Sequence, residues 1–222
     1  MRVSRIQAAE NRQTVINVAS RLFRERGFDG IGLKDLMEGA GLTQGAFYKQ
    51  FESKEDLAAQ ASRRALESAS QRWSAAIAEN PDDPLGAVIA FYLSPGHRKE
   101  KLDGCPVVAL GSDAARQGAG VKAAFEDGIK AYLEVLGPLL PQTDGEDANG
   151  RAMVVLSTMV GAMTLSRAVN DPDLAQGFLS TAVEHVREGV RRRRGERQTL
   201  RVGRKKASYR TSNKASNMKT RR

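Results

Sequence analysis

Residues 33–57 read LKDLMEGAGLTQGAFYKQFESKEDL, and this stretch decides the fold. Its first apolar residues recur at the spacing of an α-helix: Leu33, Leu36, Met37 and Ala40. Gly41 follows them and suits the end of a helix, because glycine accepts a positive φ without strain. Thr43 is a good N-cap for a second helix beginning at Gln44, since its hydroxyl can accept a free backbone N–H of the first turn. The stretch therefore predicts two short helices joined by a glycine turn.

The second helix has an apolar side and a polar side. Phe47 and Phe51 are four residues apart and share the side that faces the core, together with Ala46. The residue types left outside suit duplex DNA, because glutamine pairs with adenine in the major groove and tyrosine and lysine reach phosphate oxygens. These are Gln44, Gly45, Tyr48 and Lys49, with the glycine removing bulk where the helix comes close to DNA. Helical periodicity alone fits a helical hairpin in a larger bundle equally well.

A third helix is predicted to begin after Ser53. The Ser53 hydroxyl is placed to cap it, and Asp56 lies three residues on, near the acidic position of a capping box. Lys54 stands at the positive end of the helix dipole, where a cation is unfavourable. A nearby DNA phosphate would explain a lysine there.

These residues form one longer pattern: Gly41-Leu42-Thr43, Gly45-x-x-Tyr48-x-x-Phe51 and Ser53-Lys54-Glu55-x-Leu57. The pattern resembles the N-terminal signature of the TetR family of bacterial transcriptional regulators, and the likeness covers about residues 12–60. The resemblance implies DNA-facing roles for Thr43, Gln44, Tyr48, Lys49 and Lys54. Gly32 is a departure, since the family usually has a threonine there that caps the second helix and often touches phosphate. A glycine caps only through its backbone.

The chain has 222 residues and a formal net charge of +9, but the charge is unevenly distributed. Residues 191–222 hold 14 basic residues and 1 acidic residue, so residues 1–190 carry a net charge of −4. The tail has few apolar residues and no period, which predicts disorder. It would add non-specific affinity for DNA through counterion release; the alternative is a dispensable extension.

The remaining sequence predicts an all-α protein with breaks at glycine and proline. The expected helices are residues 55–78, 85–93, 107–116, 121–140, 146–169 and 173–191. We predict a DNA-binding domain at 1–54, an effector-binding and dimerisation domain at 55–190 and a basic tail at 191–222.

The last two helices are the predicted dimer surface. The first of them is apolar on nearly all sides, so other protein surface must bury it on all sides. Its apolar residues are Met153, Val154, Leu156, Val160, Met163 and Leu165, and the small or polar residues between them are Ser157, Thr158 and Gly161. Its predicted partner carries Phe178, Leu179, Val183, Val186 and Val190. Burial within one subunit is the alternative, but the resemblance implies a homodimer built from these helices. Such a dimer would read a near-palindromic operator in double-stranded DNA.

Cys105 precedes Pro106, a residue suited to the first turn of a helix, so the sulfur would lie near a positive helix end that favours a thiolate. The stretch from Gly104 resembles the Gly-Cys segment of a TetR branch in which some members respond to electrophiles or oxidants. The alternative is a small buried apolar residue beside a ligand cavity.

The resemblance implies a pocket for an unknown small-molecule effector. Large residues from several helices are candidates to line it, since such pockets are mostly apolar: Trp73, Phe91, Tyr92, Cys105, Leu110, Phe125, Tyr132, Met159 and Met163. The expected function is a ligand-responsive repressor; the alternative is a sequence-indifferent DNA-compacting protein driven by the tail.

Other function classes find little support in the sequence. No apolar run approaches the about 18 residues that span a bilayer, and the N-terminus has no apolar signal core. One cysteine forms no internal disulfide, so we expect a cytoplasmic protein. His97, in a polar loop, and His185, on a helix surface, lack metal-ligand spacing. We therefore expect no enzymatic activity, no metal and no cofactor.

Overall fold

The computed structural model describes residues 4–141 and 148–189, and within these ranges every regular element is helical. The all-α class is therefore confirmed. The predictions made for residues 191–222 and for Val190 lie outside the described residues.

The N-terminal head contains helices α1 (Arg5–Arg26) and α2 (Leu33–Gly39) and a 3₁₀ helix at Gln44–Lys49, named here the recognition helix. Gly41 has φ 71°, as predicted for the residue that ends the first short helix. Phe47 is fully buried and stacks on Phe51 with ring centroids 5.4 Å apart. The apolar side of the recognition helix thus packs in the core, and its polar side makes no part of that packing.

One local prediction in the head is wrong. Thr43 does occupy the N-cap of the recognition helix, but its side chain makes no capping hydrogen bond. The recognition helix is a single short 3₁₀ element, held by the packing of Phe47 rather than by a capped first turn.

Helix α3 (Lys54–Glu79) follows the head. The Ser53 hydroxyl accepts a hydrogen bond from the Asp56 N–H at 3.0 Å, as predicted. The Asp56 carboxylate accepts from the N–H of Glu52 at 3.2 Å, one residue before the cap that a standard capping box would use. Helix α3 packs on α1 and also on α7, so it belongs to the head and to the body at once. The domain boundaries at 54 and 190 stay predictions.

The body is formed by the remaining helices: α4 (Pro84–Tyr92), α5 (Pro95–Lys99), α6 (Pro106–Ala114), α7 (Ala119–Leu136), a 3₁₀ turn (Gly137–Leu139), α8 (Ala148–Ala168) and α9 at residues 172–189. A Cβ on Gly128 of α7 would lie 2.7 Å from the side chain of Leu66, so the glycine permits the close contact between α7 and α3. Within the ranges described, no helix is both long enough and apolar enough to cross a membrane.

The sequence did not predict helix α5, and His97 lies in this helix rather than in a loop. The Ser94 hydroxyl caps α5 by accepting the His97 N–H at 3.0 Å, with Pro95 in its first turn. His97 is 5 % exposed, so its assignment to a polar loop is wrong. The exposed position predicted for His185 is confirmed.

Candidate DNA-binding surface and effector site

The polar side of the recognition helix is open to solvent. Exposed residues lie along it and in the turn before it: Thr43, Gln44, Gly45, Tyr48 and Lys49. Tyr48 is 70 % exposed, and its ring contacts Phe47 edge to face, which directs the phenol outward from a buried anchor. Lys54 is partly buried in the first turn of α3. The side chains proposed to meet DNA thus surround one rigid aromatic pair.

Gly45 has no structural reason within the subunit to be a glycine. A Cβ placed on it meets nothing within 4 Å, and its φ is not positive. The protein interior therefore tolerates a side chain at this position. The absence of a side chain would instead allow another surface, such as a DNA groove, to approach the helix closely at this position.

Arg12 was missed by the sequence reasoning. Its Nε donates to the Gln50 carbonyl at 3.3 Å, and its guanidinium lies 5.1 Å from the ring centroid of Phe51. Arg12 therefore ties α1 to the end of the recognition helix. A lone arginine in an amphipathic helix carries no sequence signal for such a contact.

The second site is a small cavity among aromatic residues, named here the aromatic cavity. Trp73 stacks on Tyr132 with centroids 4.6 Å apart and meets Tyr92 edge to face at 5.6 Å. Five of the nine predicted effector-site residues line it: Trp73, Phe91, Tyr92, Cys105 and Tyr132. The other four pack in the core away from it: Leu110, Phe125, Met159 and Met163.

The aromatic cavity is small, and two of the residues that line it have buried hydroxyl groups. Its volume is about 10 Å³, room for about one water molecule. The hydroxyls of Tyr92 and Tyr132 are buried, and neither has a hydrogen-bond partner of ordinary geometry in the described part of the chain. Burial raises the pKa of both tyrosines, and the adjacent Cys105 thiol raises it further. Both buried hydroxyls therefore lie beside the Cys105 thiol.

His97 holds one wall of the aromatic cavity. Its Nε2 accepts the backbone N–H of Cys105 at 3.0 Å, and its Nδ1 lies 2.6 Å from the Tyr92 carbonyl oxygen. Because Nε2 accepts, the proton of the neutral ring belongs on Nδ1, where it is donated to the carbonyl. Burial lowers the pKa of His97, and the bond to the Tyr92 carbonyl opposes this change.

Cys105 is the N-cap residue of α6 and is 3 % exposed, with Pro106 in the first turn as predicted. The buried position agrees with the description of Cys105 as a small apolar residue beside a cavity. A sensor role for Cys105 stays a prediction.

The outer face of α8 exposes apolar side chains that share one side of the helix. Met153, Val154 and Leu165 are 47 %, 61 % and 49 % exposed. Ser157 and Gly161 lie on the same side, and a Cβ on Gly161 would meet nothing within 4 Å. Other members of the predicted dimer surface are instead buried within the subunit: Leu156, Met163, Leu179 and Val186. The exposed candidate dimer face therefore contains fewer residues than the sequence predicted.

The glycine turn, the exposed side of the recognition helix and the helical body define a helix-turn-helix DNA-binding transcriptional regulator. Residues 15–61 match the sequence profile described as bacterial regulatory proteins of the tetR family. The N-terminal head is therefore that of a TetR-family regulator.

Curated relatives extend the likeness into the body. The chain is similar to the HTH-type transcriptional regulator LmrA of Bacillus subtilis, at 27 % identity over 158 residues, covering 69 % of this chain and 82 % of LmrA. It is also similar to the HTH-type transcriptional repressor NemR of Escherichia coli K12, at 23 % identity over 134 residues, covering 59 % of this chain and 67 % of NemR. These relatives are regulators by name, and the DNA-compacting alternative gains no support from them.

Solved structures share the fold. Reduced E. coli NemR superposes with a TM-score of 0.69 at 21 % identity, covering 81 % of this chain and 96 % of NemR. A TetR regulator from Chloroflexus aurantiacus superposes with a TM-score of 0.68 at 24 % identity, covering 82 % of this chain and 96 % of that one. At these identities the likeness concerns the fold alone.

Proposed function

We propose that this regulator is a homodimeric repressor that binds a near-palindromic operator and releases it when a small molecule occupies the body. The exposed polar side of the recognition helix, anchored by buried Phe47, is the observation that carries the proposal. The name of one relative, the repressor NemR, supports the sign of regulation. A protein with this function would act in the cytoplasm, where bacterial DNA lies.

At the DNA, each exposed side chain has a distinct task. Gln44 is proposed to read a base edge, because the amide of glutamine matches adenine in the major groove. Tyr48 and Lys49 would contact phosphates, as would Lys54 from the start of α3. Thr43 and Gly45 lie on the same surface, where a small side chain permits close approach. Contacts to phosphate set position and affinity, whereas the contact of Gln44 sets sequence preference.

Dimerisation would use the exposed apolar face of α8. Met153, Val154 and Leu165 are each about half exposed or more, and apolar side chains grouped on one helix side favour burial against a partner. Gly161 in the same face permits close helix approach. Two heads spaced about 34–36 Å apart would then meet successive major grooves of the operator.

The effector is proposed to bind at the aromatic cavity after that cavity opens. Its volume of about 10 Å³ is far below the about 300 Å³ of a small ligand pocket. Binding therefore requires a second, more open conformer, and the effector would shift the population toward it. A ligand with an apolar ring and an acceptor oxygen fits the aromatic walls and the hydroxyls of Tyr92 and Tyr132. An electrophile that modifies Cys105 is the second proposed effector class.

Genome-wide footprinting with the purified full-length protein tests the proposed function. A specific repressor protects a few near-palindromic sites and keeps them in the presence of excess bulk genomic DNA. Protection that bulk DNA removes would favour the compacting alternative, and no protection would refute DNA recognition. A gel shift with the recovered site then provides the assay for effector candidates.

A further inference from the structure

The segment 97–105 comprises the end of α5 and its connection to α6, and it forms one wall of the aromatic cavity. Its backbone carbonyls accept hydrogen bonds from arginines of helices α3 and α8. Nη2 of Arg167, on α8, donates to two of these carbonyls, at 2.7 and 3.0 Å. Arg72, on α3, donates to the carbonyl of Asp103. The segment is thus fixed to the body by arginine side chains.

The head reaches the same segment through Arg24 of α1. Nη1 of Arg24 donates to the Gly104 carbonyl at 3.0 Å, and Nη2 lies 3.5 Å from the Asp103 carboxylate. The Nε of Arg24 donates to Ser20 in its own helix at 2.9 Å, which fixes the direction of the side chain. Arg24 is the only buried lysine or arginine within residues 4–141 and 148–189. A buried cation that loses its partners is strongly destabilised, so α1 and this segment are expected to move together.

The segment is tightly packed around Gly104. A Cβ on Gly104 would lie 2.3 Å from the Glu100 carbonyl oxygen and 2.9 Å from Nη2 of Arg167. The next residue is Cys105, whose N–H is held by His97 at 3.0 Å. A change in the cavity that displaces Cys105 therefore displaces the carbonyl that Arg24 binds.

We propose that Arg24 is the positioning residue that couples the aromatic cavity to the DNA-binding head. The coupling path is short: the cavity wall at Cys105, the Gly104 carbonyl, and Arg24 in α1. Its regulatory meaning rests on the proposed function, but the coupling itself is a property of the free protein and is measurable without DNA or effector.

A double-mutant cycle in the full-length protein tests the coupling. Gly104→Ala displaces the segment from within, and Arg24→Met removes the buried link while keeping a long side chain. The half-exposed pair of Arg21 with Asp103 remains in both backgrounds. Hydrogen exchange of α1 residues 17–26 is the readout, because it reports local opening of the head. We expect Gly104→Ala to raise this exchange by about threefold or more with Arg24 present, and by less than about 1.5-fold in the Arg24→Met background.

Matched variants separate coupling from general loosening. Gly111→Ala adds the same methyl on α6, where its closest neighbour would be a Val107 methyl at an ordinary 3.7 Å. Arg26→Met removes a half-exposed arginine from the last turn of α1, where it pairs with Glu25. Gly111→Ala should not raise the exchange of residues 17–26 as Gly104→Ala does. Arg26→Met should not suppress the effect of Gly104→Ala as Arg24→Met does.

Two results would overturn the proposal. The first is that Gly104→Ala leaves the hydrogen exchange of α1 unchanged but raises the hydrogen exchange of peptides from the body. The other is an equal effect of Gly104→Ala in both backgrounds, since independent sites add. If Gly104→Ala fails to fold, Asp103→Asn replaces it, because Asp103 is half-exposed and pairs with both Arg21 and Arg24. A failure to find an operator would count against the proposed function alone.

Discussion

The backbone N–H of Cys105 donates to Nε2 of His97 at 3.0 Å, and this bond joins the end of segment 97–105 to its beginning. The opposite ring nitrogen, Nδ1, lies 2.6 Å from the carbonyl oxygen of Tyr92. This arrangement needs a neutral imidazole, since a protonated ring has no acceptor nitrogen. The geometry of the aromatic cavity therefore depends on the protonation state of His97.

The first prediction is a loss of stability in mild acid. Because burial lowers the pKa of folded His97, the unfolded chain takes up a proton first as the pH falls below about 6.5. The contribution of neutral His97 is fully present above that pH and is lost as the pH falls toward the folded pKa. Thermal melts at about pH 7.5 and 5.5 should show a smaller decrease of Tm in His97→Gln than in the wild type. His185→Gln, at an exposed histidine, should keep the wild-type decrease; an equal decrease in His97→Gln would contradict the prediction.

The second prediction contrasts two glycines of the head. Gly41 has φ 71°, so Gly41→Ala should lower the free energy of unfolding by about 1 kcal/mol or more. Gly45→Leu should leave it within about 0.5 kcal/mol, because leucine is a better helix former than glycine and a Cβ there meets nothing within 4 Å. Gly45→Leu should nevertheless lose operator binding. Denaturant melts measure the stability of both variants, and gel shifts measure their affinity for the operator. Full operator affinity in Gly45→Leu would contradict the proposed close contact of Gly45 with DNA.

The third prediction separates the phosphate contact from the base contact. Lys49→Ala should lower the slope of log K against log salt by about 0.9, the value for one neutralised phosphate. Gln44→Ala should keep that slope and lose about 1–3 kcal/mol of discrimination at one base pair. Lys122→Ala, at an exposed lysine of α7 in the body, serves as the charge-matched control. Salt titrations that show the reverse assignment would exchange the proposed roles of Lys49 and Gln44.

The sequence predicted the head well because its signals are local. The spacing of Phe47 and Phe51, the positive φ of Gly41 and the cap at Ser53 each depend on a few neighbouring residues. The capping role of Thr43 failed because tertiary packing of Phe47, and not a capped turn, holds the recognition helix.

The body was harder to predict because its decisive contacts join distant residues. His97 appears polar in sequence, yet it is buried by the side chains of Tyr92 and Phe91. Arg24 appears to be a surface residue of α1 and instead reaches Gly104, 80 residues away. No spacing rule along one helix reports such a partner.

The fourth prediction concerns the exposed face of α8. Val154→Glu or Leu165→Glu places a charge where an apolar partner face is expected, and the unpaired charge would be buried on association. We expect dimer at micromolar concentration in the wild type and monomer in either variant, measured by size-exclusion chromatography with light scattering. Ile6→Glu changes an apolar residue that is 74 % exposed on α1 and should remain dimeric. A wild-type monomer would contradict the proposed dimer outright.

The fifth prediction tests how self-sufficient the head is in binding DNA. Residues 1–190 carry a net charge of −4, whereas residues 191–222 hold 14 basic residues and 1 acidic residue. If the tail binds phosphates, truncation at 190 should reduce the slope of log K against log salt by about 0.9 for each phosphate that the tail neutralises. Base preference should stay the same, because Gln44 remains in place. Equal slopes for the truncated and full-length proteins would show that the tail adds nothing, and that the recognition helix and Lys54 supply the ionic part of the affinity.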